Sequence, residues 1–462
     1  MRIFVVGVGQ VGLTVVEALH EEHDVTVIDQ DANRLGAVSD RYDVRALEGN
    51  GASRRTLRDA GVEDAALLIA CTSRDEVNIV SSMFAKRLAP ETKTIVRTTN
   101  VEYLDLWRER ELDVDFIVSS EEETAHAISQ LIGVPAARQT DIFADGRVQM
   151  VEFDVEVDAK PTSASDVPLS DAAPRAAQRH GGGVIGLPLR QAAIPADSKV
   201  ASIIRGGKTI IPRGNESIQP GDRIIIIGSP EAAREWGRIM THGDRRLDDV
   251  VIVGAGQTGV AVARLLLEQG IRIRLIERLG ARAREVAEEF PDARVFHATG
   301  LDPDFMAREK VGSASAAVFA MPDDADNLFA ATLAKLHGVP FTIAVVHDPL
   351  AEQVFERAGV DVAVNPRTVT AEEIIRFAHD PRTQQVAMLE GDRFEVLDIT
   401  VRESSQLVHK PFRELPMTGS LIGAIVRDGT IIFPHGGDTL EPGDRAIIFA
   451  ESRRVPIVEQ AL

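Results

Sequence analysis

The chain has 462 residues, 71 of them acidic and 51 basic, for a formal net charge of −20, with 44% hydrophobic and 5% aromatic residues. At roughly 100–200 residues per domain this length predicts two to four domains, and the apolar share excludes a disordered chain. The negative charge excludes charge-driven binding to nucleic acid or to an anionic membrane surface.

The carboxylate excess fits either a salt-rich cytoplasm or an ordinary acidic bacterial protein. One cysteine, Cys71, excludes an internal disulfide and an all-cysteine metal site, and fits a reducing compartment. No segment approaches the roughly 18 consecutive apolar residues that cross a bilayer. The first residues, MRIFVVGVG, run into a strand rather than a signal peptide. The expectation is a cytoplasmic protein, for which any membrane role would have to come through a partner.

In chain order, the apolar run IFVVGV predicts a first strand, followed by a glycine loop and the helix-like stretch VGLTVVEALHEE. DVTVID, LLIAC, TIVRT and DFIVSS predict further strands, with helix-like segments such as ASRRTLRDAGV between them. Short apolar strands alternating with helical crossovers predict a parallel sheet covered on both faces. The pattern then becomes β-rich, interrupted by AKPTSASDVPLSDAAPRAAQRHGGGVIGLP (159–188), which lacks periodicity and reads as an inserted loop.

After residue 249 the sequence starts again. IFVVGVGQVGLTVVEAL (3–19) aligns with VIVGAGQTGVAVARLLLEQG (251–270) at an offset of 247. RGGKTIIPRGNESIQPGDRIIIIG (205–228) aligns with RDGTIIFPHGGDTLEPGDRAIIFA (427–450) at an offset of 222. The difference of 25 falls where the inserted loop lies. The predicted class is therefore α/β: two Rossmann-like doubly wound parallel-sheet domains, 1–140 and 249–382, each followed by a small α+β domain, 141–235 and 390–462.

The glycine loops carry the chemistry. Gly7, Gly9 and Gly12 directly follow a strand and open a helix, the context a dinucleotide fingerprint needs. The first glycine permits a tight turn, the second lets a pyrophosphate approach the backbone, and the third lets helix pack on strand. Val8, Gln10 and Val11 complete the loop, whose amides at the helix start favour a phosphate. Asp29 ends the second strand, 22 residues after Gly7, where a carboxylate accepts from ribose hydroxyls and repels a 2′-phosphate. NAD(H) or an adenine nucleotide is thus favoured over NADP(H). The second copy offers Gly254, Ala255, Gly256, Gln257, Thr258, Gly259 and the acid Glu277.

Further candidates sit at predicted carboxyl ends of strands in the first half: Asn50 in GNGA (49–52), Thr72 and Ser73, Arg97, and Glu121. Thr72 and Ser73 can hydrogen-bond a phosphate or ribose. Arg97 can clamp a phosphate or pair with Glu121. The second half has HATG (297–300), Met321-Pro322 where Thr72-Ser73 stand, and Val345 where Arg97 stands, so its site lacks the hydroxyls and the guanidinium. Cys71 reads as a small buried hydrophobe. His126, His180, His242, His297, His347, His379, His409 and His435 are scattered without ligand spacing, so no metal site is expected. Glu121-Glu122-Glu123 and Asp323-Asp324 read as solvated faces, with a divalent ion at an interface as the alternative.

No GxSxG, HExxH or GxxxxGK[ST] pattern occurs, and no cluster of His, Lys or Tyr offers a proton to a nicotinamide. The expectation is a binding protein without catalytic residues. The alternatives are an NAD-dependent oxidoreductase of unknown substrate and a free-standing nucleotide sensor for some transporter.

The motifs GVGQVG (7–12), VIDQDANRL (27–35), LEGNGASRRTLRDAGVEDAALLIACTSRDEVNI (47–79), GAGQTG (254–259), NPRTVTAEEIIRF (365–377) and the paired PGDR turns at 220–223 and 442–445 together resemble the TrkA family over the whole length. These are tandem RCK, or KTN, proteins, NAD-binding regulatory subunits of Trk potassium uptake systems. The resemblance implies a homo-oligomeric ring, a tetramer in the family, docked on the inner face of the plasma membrane beneath a potassium-translocating subunit. It also implies NAD(H), ATP or ADP in the Rossmann clefts. Gly7 to Val11, Asp29, Thr72, Ser73 and Arg97 would form the first site, Gly254 to Thr258 and Glu277 the second. Val345, Met321-Pro322 and the 159–188 stretch depart from the family pattern.

Overall fold

Continuous runs of Val, Ile and Leu build two parallel sheets whose central strands are buried on both faces. In the first, β1 (Arg2–Val6), β2 (Asp24–Asp29), β3 (Arg45–Glu48), β4 (Leu67–Ala70), β5 (Lys93–Thr98) and β6 (Phe116–Ser119) lie in the order β3-β2-β1-β4-β5-β6. This is a doubly wound sheet with its switch point between β1 and β4, and ligands of such sheets bind at the carboxyl edge there. The structure is a computed structural model that describes all residues except 22, 135, 145, 156–182, 241–247, 377–382, 390–392 and 416–418.

A five-stranded antiparallel sheet follows: β7 (Ala137–Phe143), β8 (Val148–Asp154), β9 (Ser198–Arg205), β10 (Lys208–Ile210) and β11 (Arg223–Gly228), in the order β10-β9-β11-β8-β7. The second half repeats both sheets. β12 (Asp249–Val253), β13 (Arg272–Glu277), β14 (Arg294–His297), β15 (Ala316–Phe319), β16 (Thr342–Val345) and β17 (Val362–Val364) order as β14-β13-β12-β15-β16-β17. β18 (Thr383–Leu389), β19 (Phe394–Thr400), β20 (Ser420–Arg427), β21 (Thr430–Ile432) and β22 (Arg445–Glu451) order as β18-β19-β22-β20-β21. Read strand for strand, each order in the second half equals its counterpart in the first. The fold is α/β, with two Rossmann-like sheets, each followed by a small α+β lobe.

Two strands depart from the sequence reading. β7 crosses the 140/141 division, and β18 precedes residue 390 yet pairs antiparallel with β19. Each opens its small lobe from a polar-apolar mixture, as in Arg138, Gln139 and Asp141 of β7, that gives no clear strand signal. The predicted inserted loop lies outside the described residues up to 182. Its end does not: Val184 and Ile185 are buried, and Ile185 and Pro188 bridge to Ile218 and Ser217.

The halves interlock around a pseudo-twofold. Helix Gln10–Leu19 packs on helix Pro366–Arg376, while helix Gln257–Glu268 packs on helix Ser120–Gly133. The two small lobes share one core, in which Phe143, Met150 and Ile225 meet Val396, Ala424 and Phe449. Arg147 donates to the Gly429 carbonyl and Arg445 pairs with the buried Asp398 at 2.6 Å.

Candidate functional site

At the switch point of the first sheet, Gly7 has φ +95°, a left-handed conformation that a side chain strains, and its amide donates to the Ile28 carbonyl of β2 at 2.8 Å. The loop then enters helix Gln10–Leu19 with Gly9 as N-cap and no side chain capping it. Helix-start amides without such a cap are anion sites. A Cβ added at Gly9 would meet nothing within 4 Å, whereas one at Gly12 would overlap the Gly7 carbonyl oxygen. Gly12 is therefore required by packing within the chain, and Gly9 by nothing in it.

Asp29 braces this loop. Its Oδ2 accepts from the Val8 amide at 2.8 Å and its Oδ1 from the Asp31 amide at 2.9 Å. Each oxygen keeps a lone pair for a further donor. Glu277 repeats the arrangement, accepting from the Ala255 amide at 2.9 Å and the Leu279 amide at 2.6 Å. Gly254 is left-handed at φ +103°, and Gly256, Gln257 and Thr258 lead into helix Gln257–Glu268, again without a side-chain cap. Arg282 donates to the Ala255 carbonyl at 3.0 Å.

A cavity of about 590 Å³ opens over the first loop. Of the residues singled out by sequence, Gly7, Gly9, Gln10, Val11, Asp29, Thr72, Ser73 and Arg97 line it; Val8, Asn50 and Glu121 do not. Asn50 instead caps its own turn, its Oδ1 accepting from the Ala52 amide at 2.9 Å. Glu121 forms no ion pair with Arg97 among the described residues; burial pushes its carboxyl up to about 7 against the opposing Arg97 charge. The Thr72 hydroxyl is committed within the chain, donating to Asn78 Oδ1 at 2.6 Å and accepting from the Arg74 amide at 3.2 Å. Ser73 is exposed beside it. Cys71 lines the cavity as a buried thiol, pushed up to about 12 by burial and directed at the Gly7 carbonyl.

Arg97 is anchored by its own Nε to Ser120 Oγ at 3.0 Å and by Nη1 to the Thr72 carbonyl at 3.3 Å. Asn78, fully buried, donates to the Thr72 and Arg97 carbonyls, and Asn327 donates in the same way to the Met321 and Val345 carbonyls. Those matched bonds put Val345 where Arg97 stands and Met321 where Thr72 stands.

Sequence reasoning missed three cationic residues of the first cavity: Arg34, Arg74 and Arg367. Arg34 lies within VIDQDANRL and Arg74 directly after Ser73, so both were within reach of strand-end reasoning. Arg367 comes from the other half; it lies within the motif NPRTVTAEEIIRF (365–377), but nothing local ties that motif to the first cavity. With Arg97, four guanidiniums face a cavity whose lining includes one carboxylate, Asp29, in a chain of net charge −20. Four cations around uncapped amides suit a multiply charged anion by charge and by hydrogen-bond donors.

A second cavity, about 540 Å³, lies between the halves, with Glu123, Arg138 and Asp141 on one side and Glu352, Glu373 and Arg376 on the other. Burial pushes Glu123 up to about 8, with Glu373 adding to the rise and Arg376 opposing it. Among the described residues no group of three or more His, Cys, Asp or Glu is placed to hold a metal ion, and no helix is long and apolar enough to cross a membrane.

Comparison with known proteins agrees with this architecture. The TrkA-N domain family matches residues 3–120 and 250–366, and the TrkA-C domain family matches 179–240 and 396–460. The chain is 32% identical to a Trk system potassium uptake protein TrkA homolog of Archaeoglobus fulgidus, over all of this chain and 99% of that one. It is 28% identical to the Trk system potassium uptake protein TrkA of Haemophilus influenzae, over all of this chain and 98% of that one. Among solved structures, the GsuK channel superposes with a TM-score of 0.60 at 16% identity, over all of this chain and 78% of that one. The GsuK channel bound to NAD superposes at 0.58 with 17% identity and the same coverage. Both family models, each matched twice in the order TrkA-N, TrkA-C, TrkA-N, TrkA-C, place the chain in the TrkA family.

Proposed function

We propose that the chain is a nucleotide-sensing regulatory subunit that gates a Trk-type membrane potassium uptake system by ligand-dependent conformational change. The observation that carries this is the arginine-lined cavity over the Gly7–Gly12 loop, closed at one side by a residue of the other half. Gly7 to Val11 and Asp29 hold the pyrophosphate and ribose of NAD(H) or of an adenine nucleotide such as ATP or ADP, and Arg97 pairs with its phosphate. Thr72 acts through the backbone frame that it builds with Asn78. Gly254 to Thr258 and Glu277 form a second site, weaker because Val345 offers no guanidinium. The names of the relatives support a membrane-embedded potassium-translocating partner and a position on the cytoplasmic face of the membrane. A ring of several copies completes the reading, as the family resemblance implies, and the likeness to the GsuK channel is in keeping with assembly on a membrane protein.

An oxidoreductase reading is disfavoured by the lining itself. It contains no His, Lys, Tyr or Glu, its thiol titrates near 12, and both oxygens of Asp29 already accept backbone amides. Calorimetric titration of the chain with NADH, NAD, ATP and ADP, with NADH oxidation followed in the same samples, tests the proposal. Binding without turnover is the expected result, together with co-purification of the membrane subunit. Turnover, or no binding by any of the four, would sink it.

A further inference from the structure

Arg367 opens helix Pro366–Arg376, which follows β17 in the second half, yet its guanidinium lies in the wall of the first cavity. There it donates to Gln10 Oε1, at the start of the first glycine-loop helix, and to the His347 carbonyl at 2.7 Å. Both are neutral acceptors. One helical turn on, Thr370 hydrogen-bonds the Ser120 hydroxyl at 2.9 Å, and Ser120 in turn accepts from Arg97 Nε. Thr370 and Ser120 are buried. One helix of the second half thus touches the first site at two points: directly through Arg367, and through Ser120 to Arg97.

The pseudo-twofold makes this arrangement one-sided. Thr370 bonds back to the Pro366 carbonyl as Thr124 bonds back to the Ser120 carbonyl, which aligns Arg367 with Glu121. The first half therefore presents a carboxylate at the position where the second presents a guanidinium. Of these two, the guanidinium alone can pair with phosphate, and it does so by two parallel, charge-assisted bonds about twice as strong as those between neutral groups.

We infer that Arg367 is a phosphate ligand of the first site supplied by the second half, and that it reads the pyrophosphate of a dinucleotide or nucleoside polyphosphate by leaving Gln10 for it. Bound phosphate exchanges a neutral partner within the interface for a charged one in the cavity, so occupancy is transmitted to helix Pro366–Arg376 and to its packing on helices Gln10–Leu19 and Ser120–Gly133. This rests on the proposal that the first cavity takes a nucleotide.

The test compares the full-length chain with Arg367→Gln, Arg367→Lys and Asp29→Ala, by calorimetry with AMP, ADP, ATP and NAD and by hydrogen exchange of residues 366–376. Arg367→Gln is expected to weaken ADP, ATP and NAD tenfold or more and AMP by much less, with Arg367→Lys in between. ADP is expected to change exchange in 366–376 of the unsubstituted chain, and to leave it unchanged in Arg367→Gln at saturating ligand. Equal affinities for all four ligands in Arg367→Gln and the unsubstituted chain would overturn the inference, as would one uniform loss across them, which marks a purely structural arginine. If the unsubstituted chain binds none of the four, or Asp29→Ala binds them undiminished, the underlying site assignment fails instead. Should Arg367→Gln fold poorly, the Arg367→Lys series alone decides, because a lysine keeps the charge and loses the fork.

Discussion

Replacing Gly9 by alanine separates a glycine kept for the fold from one kept for a ligand. Gly9 sits at φ −68° and ψ −166°, a conformation any L-residue adopts, and its added Cβ points into space empty to 4 Å. Restricting the unfolded chain stabilises by about 0.4–1 kcal/mol, and the poorer N-cap preference of alanine offsets about the same amount. The net change in stability is close to zero, within about 0.5 kcal/mol. Gly12→Ala is the contrast: its Cβ overlaps the Gly7 carbonyl oxygen and comes within 3.1 Å of Cys71 Sγ. Neither atom can retreat, since both belong to the packed strand ends of β1 and β4, and the overpacking costs about 3 kcal/mol. If the empty space over Gly9 is where a pyrophosphate lies, one methyl group there displaces it, and affinity falls roughly 10- to 100-fold, about 1.4–2.7 kcal/mol. Urea unfolding and calorimetric titration with NAD and ADP read the two quantities independently. Undiminished binding by a well-folded Gly9→Ala chain would refute the reasoning, because the cavity would then take its ligand elsewhere.

Three further outcomes follow from named contacts. Asn78→Ala leaves the Thr72 amide and the Thr72 and Arg97 carbonyls without their buried partner and is expected to cost about 3 kcal/mol in urea unfolding and to weaken nucleotide binding. Asn327→Ala is expected to cost as much stability while leaving the first site's affinity intact. In the small lobes, Asp222 and Asp444 each take two bonds from Arg205 and Arg427 while almost fully buried, so Asp222→Ala and Asp444→Ala are each expected to cost about 3 kcal/mol, and to do so equally. Glu123, raised from 4.5 to about 8, holds its proton longer when folded than when unfolded. Its contribution is therefore fully present below pH 4.5 and is lost as pH rises towards 8, so Glu123→Gln is expected to stabilise the chain at pH 8.5 by on the order of 1–2 kcal/mol and to change little at pH 4.5. Unfolding curves at the two pH values check this, and an equal effect at both would contradict it.

Much of the fold was legible because the chain states it twice. The glycine loops with their acids at matching spacing, and the PGDR turns, are local patterns whose geometry is fixed by backbone demands within a few residues, and both repeats adopt the same strand order. What stayed hidden was non-local. β7 and β18 owe their pairing to partners rather than to alternation of their own. Thr72 looked like a ligand by position, but Asn78, six residues on, claims its hydroxyl. Arg97 and Glu121, apt partners by charge, are kept apart when Ser120 takes the arginine's Nε. Arg367 stands 357 residues from Gln10 in sequence, and only the docking of the halves brings it to the first cavity.

Duplication inside one chain explains why the two sites differ. In a dimer of identical units, positions 121 and 367 would carry the same residue and both clefts the same charge. Fused into one polypeptide, the copies diverge: the first cleft gathers Arg97 and Arg367, while the second has Val345, and its counterpart to Arg367 is Glu121. The energetics then bound what one chain can do. A charged hydrogen bond contributes about 1.5–3 kcal/mol, so one phosphate reading one arginine shifts a two-state equilibrium by roughly 10- to 150-fold at most. Reversing an equilibrium from 1:99 to 99:1 needs about 5.5 kcal/mol. A single occupied chain falls short of that, whereas four chains moving together in the proposed ring would supply about 6–12 kcal/mol and exceed it, because their differential affinities add. On the proposed function, steep gating by nucleotide would thus be a property of the assembly, and a chain held monomeric is expected to bind nucleotide yet switch only in part.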